Sequence, residues 1–273
     1  MIIQLPYEKS EHSPLQLIQF TDTHLLEQPE KLFAGISPIA SLKAIIQHFQ
    51  DTQNIADIDL ILNTGDIAQD SSASTYQQYL TLLEQLEKPH FFIRGNHDDD
   101  ASFPQPDAKD EPIVILCGPW CLILLNSQAD GHIYGEVSQA HLAQLEQLLN
   151  QYQDRHVLIA LHHHTFAVGS AWLDQHILKN ADEFLACITP HQNVKLVLCG
   201  HVHQDSDYQH EHIHFISSPS TFIQFTPNSA DFSLDDRYAG YRSLSLYPNG
   251  AFSSELHYLT EAVGILDKSI TEY

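Results

Sequence analysis

The stretch LQLIQFTDTHL, residues 15–25, places a run of apolar residues directly before an aspartate and a histidine. The run 15–20 is short, rich in Leu, Ile and Phe, and typical of a buried β-strand. Asp22 and His24 follow it two residues apart, and side chains two apart in extended backbone face the same way. The stretch therefore predicts a strand that brings two polar side chains to one point at its carboxyl end.

Four further apolar runs end in polar residues in the same way. They span residues 58–62, 90–93, 157–161 and 194–198. The polar residues that follow are Asp66; Asn96, His97 and Asp98; His162, His163 and His164; and His201 and His203. The carboxyl ends of strands in an open α/β sheet face one crevice, so five separate segments are expected to converge on a single site.

Segments with helical spacing separate several of these strands. They are residues 38–49 after a Ser37 cap, 74–86, 138–152 and 174–188. This alternation predicts a layered α/β fold.

Other runs predict strands that are not parallel. Runs 112–117 and 120–126, joined by Gly118 and Pro119, predict a hairpin and hence a mixed sheet, and the region after 215 is β-like through 243–247 and 252–258. We expect one domain over 1–273, with a core at about 14–225 and a β-rich segment at about 226–273. Residues 98–112 are predicted to form an exposed loop.

The composition excludes some classes of function. The net charge of −23, with only 12 Lys and Arg among 273 residues, disfavours a surface that binds nucleic acid or an anionic membrane. The four cysteines lack C-x-x-C spacing and are interpreted as reduced core residues. No apolar run approaches the roughly 18 residues that span a bilayer, and no signal-peptide pattern is present, so we expect a cytoplasmic protein. A small anionic substrate would need positive charge supplied locally.

The polar residues at the strand ends are typical metal ligands. Carboxylate, imidazole and carboxamide groups bind divalent first-row metals, and no cysteine joins them, which disfavours a structural zinc site. The set of seven exceeds the needs of one ion: Asp22, His24, Asp66, Asn96, one histidine of 162–164, His201 and His203. Two ions that share the Asp66 carboxylate fit better. Such ions, roughly 3.5–4 Å apart, clamp a phosphoryl group and lower the pKa of a bridging water to about 7.

These blocks, in this order, resemble a known family. D-x-H at 22–24, G-D at 65–66, G-N-H-D at 95–98, the histidine triplet at 162–164 and G-H-x-H at 200–203 are the signature of the calcineurin-like metallophosphoesterases. TDTHL, TGDIAQD, LHHH, SAWLDQH, LCGHVHQ and SSPSTFIQF further resemble the bacterial class III 3′,5′-cyclic-AMP phosphodiesterases, over roughly residues 14–258.

The resemblance implies a fold and a set of residue roles. The fold would be a four-layer α/β/β/α sandwich of two mixed β-sheets flanked by helices. One metal would be held by Asp22, His24, Asp66 and His203, and the second by Asp66, Asn96, His162 and His201. His97 would be the catalytic histidine, and iron and manganese the metals. The substrate would contact His24, Asp66, Asn96, His97, His162 and His203.

The implied reaction is in-line attack of a metal-bridging hydroxide on cyclic AMP, with His97 protonating the departing O3′ to yield 5′-AMP. We expect cyclic AMP as the partner, no nucleic acid or membrane partner, and a monomer or homodimer. Activity on another phosphodiester or phosphomonoester, such as a glycerophosphodiester or nucleotide, is the alternative. A non-catalytic scaffold would have lost ligands or His97, and all are present.

Several points stay open in the sequence. His163 is the fallback for His162, because Thr165 stands where relatives have a proline and the strand end is less constrained. Trp172, Phe222 and Gln224 are candidates for contact with the base. Residues 227–241 are either a lid or a surface loop. The alternating HEHIH at 210–214 is interpreted as the exposed face of a strand.

Overall fold

The computed structural model describes residues 1–10, 12–98, 101–104 and 108–271. The strands are β1 (Ile2–Gln4), β2 (Leu15–Phe20), β3 (Leu60–Asn63), β4 (His90–Phe92), β5 (Ile113–Cys117), β6 (Trp120–Leu124), β7 (His156–Ala160), β8 (Val194–Cys199), β9 (Ser206–His210), β10 (Ile213–Ser217), β11 (Gly240–Leu246) and β12 (Phe252–Tyr258). The helices are α1 (Pro38–Thr52), α2 (Ala73–Glu84), α3 (Gln139–Gln151) and α4 (Ala181–Ile188), with short 3₁₀ turns at Ile55–Asp57 and Leu173–Gln175.

The strands form two mixed sheets. One has seven strands in the order β1-β5-β6-β7-β8-β10-β9, and the other has five in the order β12-β11-β2-β3-β4. The predicted hairpin is confirmed, since β5 and β6 pair antiparallel. In each sheet the strands that precede the motifs are parallel neighbours: β2, β3 and β4 in one, β7 and β8 in the other. Their carboxyl ends therefore lie together.

The sheets pack face to face, and helices cover their outer faces. The layer between the sheets buries residues such as Leu17 from one sheet and Leu122 from the other. Helices α1 and α2 pack on the five-stranded sheet through residues such as Phe49, and α3 and α4 pack on the seven-stranded sheet through residues such as Leu145. Each such side chain, fully buried, contributes about 1.5–3 kcal/mol. The predicted four-layer α/β/β/α sandwich is confirmed.

Serine caps begin three of the helices, as the sequence indicates for α1. The Ser37 hydroxyl accepts a hydrogen bond from Ala40 N at 3.3 Å, and Ser72 and Ser138 cap α2 and α3 similarly. The prediction of a helix over 174–188 was wrong at its start, because α4 begins only at Ala181. The preceding N–H groups of residues 178 and 179 bond instead to the carbonyls of residues 164 and 135, which leaves them unavailable to a helix.

The C-terminal strands belong to the sheet that carries the first motif. Strand β11 pairs antiparallel with β2 on one side and with β12 on the other. The HEHIH segment is not one strand face, because His210 ends β9, His212 lies in the turn and His214 lies in β10. None of the helices within the described ranges has the length and apolar character needed to cross a bilayer.

The predicted exposed loop 98–112 departs from expectation at its first residue. Asp98 is only 2% exposed, and its carboxylate accepts hydrogen bonds from the N–H groups of Gly95, Ile67 and Ala68 at 2.9, 3.1 and 3.2 Å. Burial, together with the nearby Asp66 carboxylate, raises the pKa of Asp98 to about 7. Asp98 therefore braces the G-D loop against the G-N-H-D loop. Residues 99, 100 and 105–107 of the predicted loop lie outside the described residues.

Candidate active site

The motif residues sit in tight turns at the ends of their strands. Five of them have left-handed backbone, with φ of 53° at Asp22, 45° at His24, 52° at Asp66, 69° at His201 and 47° at His203. Non-glycine residues rarely adopt this conformation, which costs of order 1–3 kcal/mol and persists where surrounding structure imposes it. Such residues cluster at functional sites, and here they are five of the seven predicted ligands.

The side chains of these turns converge. In four groups of three residues, potential ligand atoms lie within 4.8 Å of one another. The groups are Asp22, His24 and His203; Asp22, Asp66 and His162; His24, Asp66 and His97; and His162, His163 and His201. Asp66 belongs to two groups, and its Oδ2 lies 3.2 Å from His162 Nε2 and 3.8 Å from His24 Nε2. That position is the one a bridging carboxylate needs.

Hydrogen bonds donated by Nδ1 orient three of the imidazoles. The Nδ1 atoms of His162 and His203 lie 2.7 Å from the carbonyl oxygens of Thr64 and Ile223, and carbonyls can only accept, so Nδ1 is the donor. His24 Nδ1 makes the same contact, at 2.7 Å, with the side-chain oxygen of Gln69. In the neutral rings the Nε2 lone pairs then face the site, which is the usual arrangement for histidines that bind metal.

Three buried polar atoms in the site lack a hydrogen-bond partner among the described residues: Asn96 Oδ1, His162 Nε2 and His201 Nε2. His162 Nε2 also lies 3.2 Å from Asp66 Oδ2, and this carboxylate raises the pKa of His162 to about 9 against the effect of burial. A buried acceptor left without a partner costs about 1–3 kcal/mol. All three belong to the ligand set that the resemblance implies for the second metal, and their chemistry fits a transition-metal ion.

The three histidines at 162–164 differ in the contacts that their rings make. His163 Nε2 donates to the carbonyl of Ile133 at 3.0 Å, and its Nδ1 lies 2.9 Å from Ser127 Oγ, so both ring nitrogens are engaged. His162 Nδ1 donates to the carbonyl of Thr64, and its Nε2 lies 3.2 Å from Asp66 Oδ2. The geometry favours His162 over His163 as a ligand, because His162 Nε2 faces Asp66 whereas both ring nitrogens of His163 contact groups outside the candidate ligand set. His164 Nε2 lies 3.5 Å from the Asp174 carboxylate, and its ring stacks on that of His201 with centroids 5.7 Å apart.

Two glycines allow the loops to approach this closely. A Cβ on Gly95 would lie 2.1 Å from Asp66 Oδ1, and one on Gly200 would lie 2.1 Å from Thr21 Oγ1 and 2.8 Å from Asp22 Oδ2. No side chain fits at either position. These contacts explain physically why the G-N-H-D and G-H-x-H blocks begin with glycine.

Burial and neighbouring charges shift the pKa values of the ionisable groups in the site. Burial would raise the pKa of Asp66, but the imidazoles of His162, His97 and His24 hold it well below its usual range. Burial lowers the pKa of His24 and His201 well below 6.5, with neighbouring imidazoles adding to the effect at His201. The folded chain thus presents an ionised Asp66 carboxylate and neutral His24 and His201 imidazoles, which are the states that bind metal, whereas at His162 the Asp66 carboxylate outweighs burial and raises the pKa to about 9.

His97 lies at the mouth of the cluster. Its backbone N–H donates to Asp66 Oδ1 at 2.8 Å, and its ring is 5.0 Å from that of His24 in an edge-to-face arrangement. Its side chain lines a cavity of about 340 Å³ together with Asp66, Asn96 and His201. His97 is therefore beside the candidate ligands and accessible to a molecule in the cavity.

The three residues predicted as candidates for contact with the base lie at two different cavities. Trp172 lines the 340 Å³ cavity, whereas Phe222 and Gln224 line a different one of about 320 Å³. Gln224 Oε1 accepts from Ser220 N at 3.0 Å and its Nε2 donates to Ser220 O at 2.7 Å, so this side chain braces its own turn. The structure does not bring Phe222 or Gln224 to the cavity beside the metal ligands.

Sequence reasoning missed several residues that line this cavity. They are Ile133, Leu173, His176, Phe225, Phe232 and Thr271. Phe225 ends the SSPSTFIQF block, but nothing in the pattern distinguishes it from Phe222. Phe232 lies in the 227–241 segment, which the sequence leaves open between a lid and a surface loop.

Comparison with known proteins gives matches over most of the chain. The family model described as Calcineurin-like phosphoesterase matches residues 15–205. The chain is 38% identical over 268 residues to the 3′,5′-cyclic adenosine monophosphate phosphodiesterase CpdA of Vibrio vulnificus (strain CMCP6), with 97% of each chain covered. It is 35% identical over 251 residues, with 90% of each chain covered, to the protein of the same name from Escherichia coli (strain K12).

Solved structures of low sequence identity share the fold. A dimetal phosphatase from Danio rerio gives a TM-score of 0.64 at 13% identity, covering 90% of this chain and 99% of that one. A purple acid phosphatase from yellow lupin gives a TM-score of 0.60 at 16% identity, covering 93% of this chain and 55% of that one.

Proposed function

This chain belongs to the calcineurin-like phosphoesterase family, and from that premise we propose that it hydrolyses 3′,5′-cyclic AMP to 5′-AMP at a two-metal site. The observation that carries the proposal is the convergence of Nε2 and carboxylate atoms around Asp66, with three of the potential ligand atoms buried and unpartnered. A protein that kept this fold for packing alone would have no reason to leave those atoms unsatisfied.

We assign the ligands in two sets that share Asp66. The first is Asp22, His24, Asp66 and His203, and the second is Asp66, Asn96, His162 and His201. In support of the first, His203 Nε2 lies 3.4 Å from Asp22 Oδ1 and 3.2 Å from His24 Nε2, so two lone pairs and a carboxylate face one point. In support of the second, its three other members carry the unpartnered atoms. Iron and manganese suit this mixture of nitrogen and oxygen ligands.

Bound at these sets, two ions would supply Lewis acidity toward the phosphate and lower the pKa of a bound water. The chain itself would orient that chemistry. Asp66 would fix the positions of the two sites relative to each other. His97, which lines the cavity, would protonate the leaving O3′. The ions would also attract an anionic substrate to a chain whose net charge is −23.

Two observations support a cyclic nucleotide as substrate. Relatives at 35–38% identity over at least 90% of the chain are named as cyclic-AMP phosphodiesterases. The cavity beside His97 has about 340 Å³, within the ~300–1,000 Å³ typical of small-molecule sites. Its lining combines the motif residues with aromatic side chains, as a molecule with a phosphate at one end and a base at the other requires.

The test measures metal content and hydrolysis of cyclic AMP, cyclic GMP and bis(p-nitrophenyl) phosphate side by side. We expect close to two metal ions per chain and loss of cyclic AMP hydrolysis on chelation, with recovery on adding Mn²⁺. Asp66→Asn should lose metal and activity, whereas Asp207→Asn, at a side chain 65% exposed outside the site, should keep both. Turnover of the nitrophenyl diester without any cleavage of cyclic AMP would contradict the assigned substrate.

A further inference from the structure

The residues that line the cavity beside the candidate ligands are of two kinds, polar and apolar, and each set is called a wall below. One is polar and is formed by Asp66, Asn96, His97 and His201. The other is mainly apolar and is formed by Ile133, Trp172, Leu173, Phe225 and Phe232. The hydrolytic step uses the polar wall only, and phosphoester chemistry does not by itself require three aromatic rings in the same cavity.

The three rings of the apolar wall form one cluster. Trp172 contacts Phe225 and Phe232 edge to face, with ring centroids 5.0 and 5.3 Å apart, and the two phenylalanines are 5.6 Å from each other. Phe225 also stacks on the imidazole of His203, with centroids 4.0 Å apart and planes 11° from parallel. The cluster is therefore in direct contact with a proposed metal ligand, and one small molecule can reach both walls.

The tryptophan presents an unused donor. Its indole Nε1 is buried and has no hydrogen-bond partner within the described part of the chain, although Trp172 lines the cavity. Buried indole N–H groups are normally paired, since leaving one unpaired costs free energy. An acceptor on a bound molecule would satisfy it.

The loop that carries Trp172 is fixed at both ends. The Asp174 carboxylate accepts hydrogen bonds from Val168 N at 2.8 Å and Gly169 N at 3.1 Å, and it lies 3.5 Å from His164 Nε2. The backbone N–H of residue 171 bonds to the carbonyl of Ser229. The loop is thus tied to the histidine triplet and to the segment that carries Phe232, which holds the aromatic wall at a set distance from the metal ligands.

We propose that the partly exposed rings of Trp172 and Phe232, packed on the buried Phe225, form the base subsite of this enzyme, which takes a flat purine ring and donates the Trp172 indole N–H to one of its ring nitrogens. The inference rests on the proposed function, because it concerns the base of the same nucleotide. Aromatic faces bind bases by stacking, and a purine offers both a larger face than a pyrimidine and ring nitrogens that accept hydrogen bonds. The wall makes the enzyme selective for cyclic purine nucleotides over diesters without a base.

The kinetic test compares cyclic AMP with methyl riboside 3′,5′-cyclic phosphate, which keeps the cyclic diester and lacks the base. Trp172→Ala and Phe232→Ala should raise KM for cyclic AMP by about 5- to 100-fold, the range expected for loss of one stacked ring, and leave kinetics on the base-free ester within twofold. Trp172→Phe keeps a ring and loses the N–H, so KM should rise by only about 3- to 10-fold.

A matched control is Tyr208→Ala, which removes an aromatic ring that is 47% exposed and does not line the cavity. This substitution should leave KM and kcat for both substrates unchanged. Equal effects of the Trp172 and Phe232 substitutions on cyclic AMP and on the base-free ester would overturn the proposal, as would an unchanged KM for cyclic AMP.

A binding measurement separates this inference from the proposed function. The chain has two tryptophans, and Trp120 is fully buried between the sheets, so a change in fluorescence on ligand binding reports on Trp172. In Mn²⁺-loaded protein, 5′-AMP should quench the emission saturably, ribose 5-phosphate should not, and Trp172→Phe should abolish the response. A wild type that cleaves no cyclic AMP but shows this quenching refutes the proposed reaction alone. Absence of quenching by 5′-AMP refutes the base subsite.

Discussion

Gly95→Ala tests whether the position of Asp66 controls the site. The alanine Cβ would lie 2.1 Å from Asp66 Oδ1 and 2.5 Å from Asp66 N, where ordinary van der Waals contact begins at 3.4 Å. Gly95 is not among the residues with positive φ, so the contact, rather than backbone conformation, is what the substitution changes. Relief of the clash requires the carboxylate or its loop to move by about 1 Å.

A displacement of that size has a large expected effect on activity and a small one on stability. Misplacement of a catalytic group by about 1 Å costs on the order of 10²-fold in rate. Overpacking costs about 1–3 kcal/mol in the free energy of unfolding, so the protein should remain folded. Because Asp66 is proposed to contact both ions, we also expect metal content to fall below that of the wild type.

The assay measures kcat/KM for cyclic AMP, metal content by elemental analysis and the melting temperature of each protein. Gly131→Ala is the control, because its Cβ would meet nothing within 4 Å although its φ of +73° strains the backbone. It should lose some stability and keep full metal and activity. A Gly95→Ala protein with two bound ions and wild-type kcat/KM would refute the reasoning that Asp66 must stay where Gly95 allows it.

Three further predictions concern the imidazoles. His97→Ala should lower kcat by ~10²–10⁴-fold without loss of metal, because residue 97 contacts Asp66 through its backbone N–H at 2.8 Å, and a wild-type kcat would disprove the role. His162→Asn should lose about one metal ion per chain by elemental analysis and His163→Asn none, and the reverse result would exchange the two assignments. Burial lowers the pKa of His162, but the Asp66 carboxylate raises it by more, so that the pKa is about 9 in the metal-free chain. Metal must therefore displace a proton at pH 7, and Mn²⁺ affinity measured by calorimetry should rise about tenfold per pH unit toward pH 9; a pH-independent affinity would contradict this.

The candidate ligands were recognisable in the sequence because each follows its strand within a few residues. Asp22 and His24 come directly after β2, and His201 and His203 come directly after β8, so the motif and the turn that positions it are one local unit. The alternation of strands and helices likewise predicted a layered α/β fold, since apolar periodicity records which face of each element is buried. The start of α4 was missed because its first expected N–H groups bond to loops distant in sequence.

The sequence by itself determined the identity of the candidate ligands, the Ser37 cap and the alternating elements, because these depend on residues close together in the chain. Only the tertiary structure distinguished His162 from His163, because the Ser127 and Ile133 groups that engage both ring nitrogens of His163 are about 30 residues or more away. It also decided that Phe225 and Phe232 meet Trp172 in one wall. That contact joins loops more than 50 residues apart, and no local pattern of apolar residues specifies which aromatic side chains will face a cavity rather than the core.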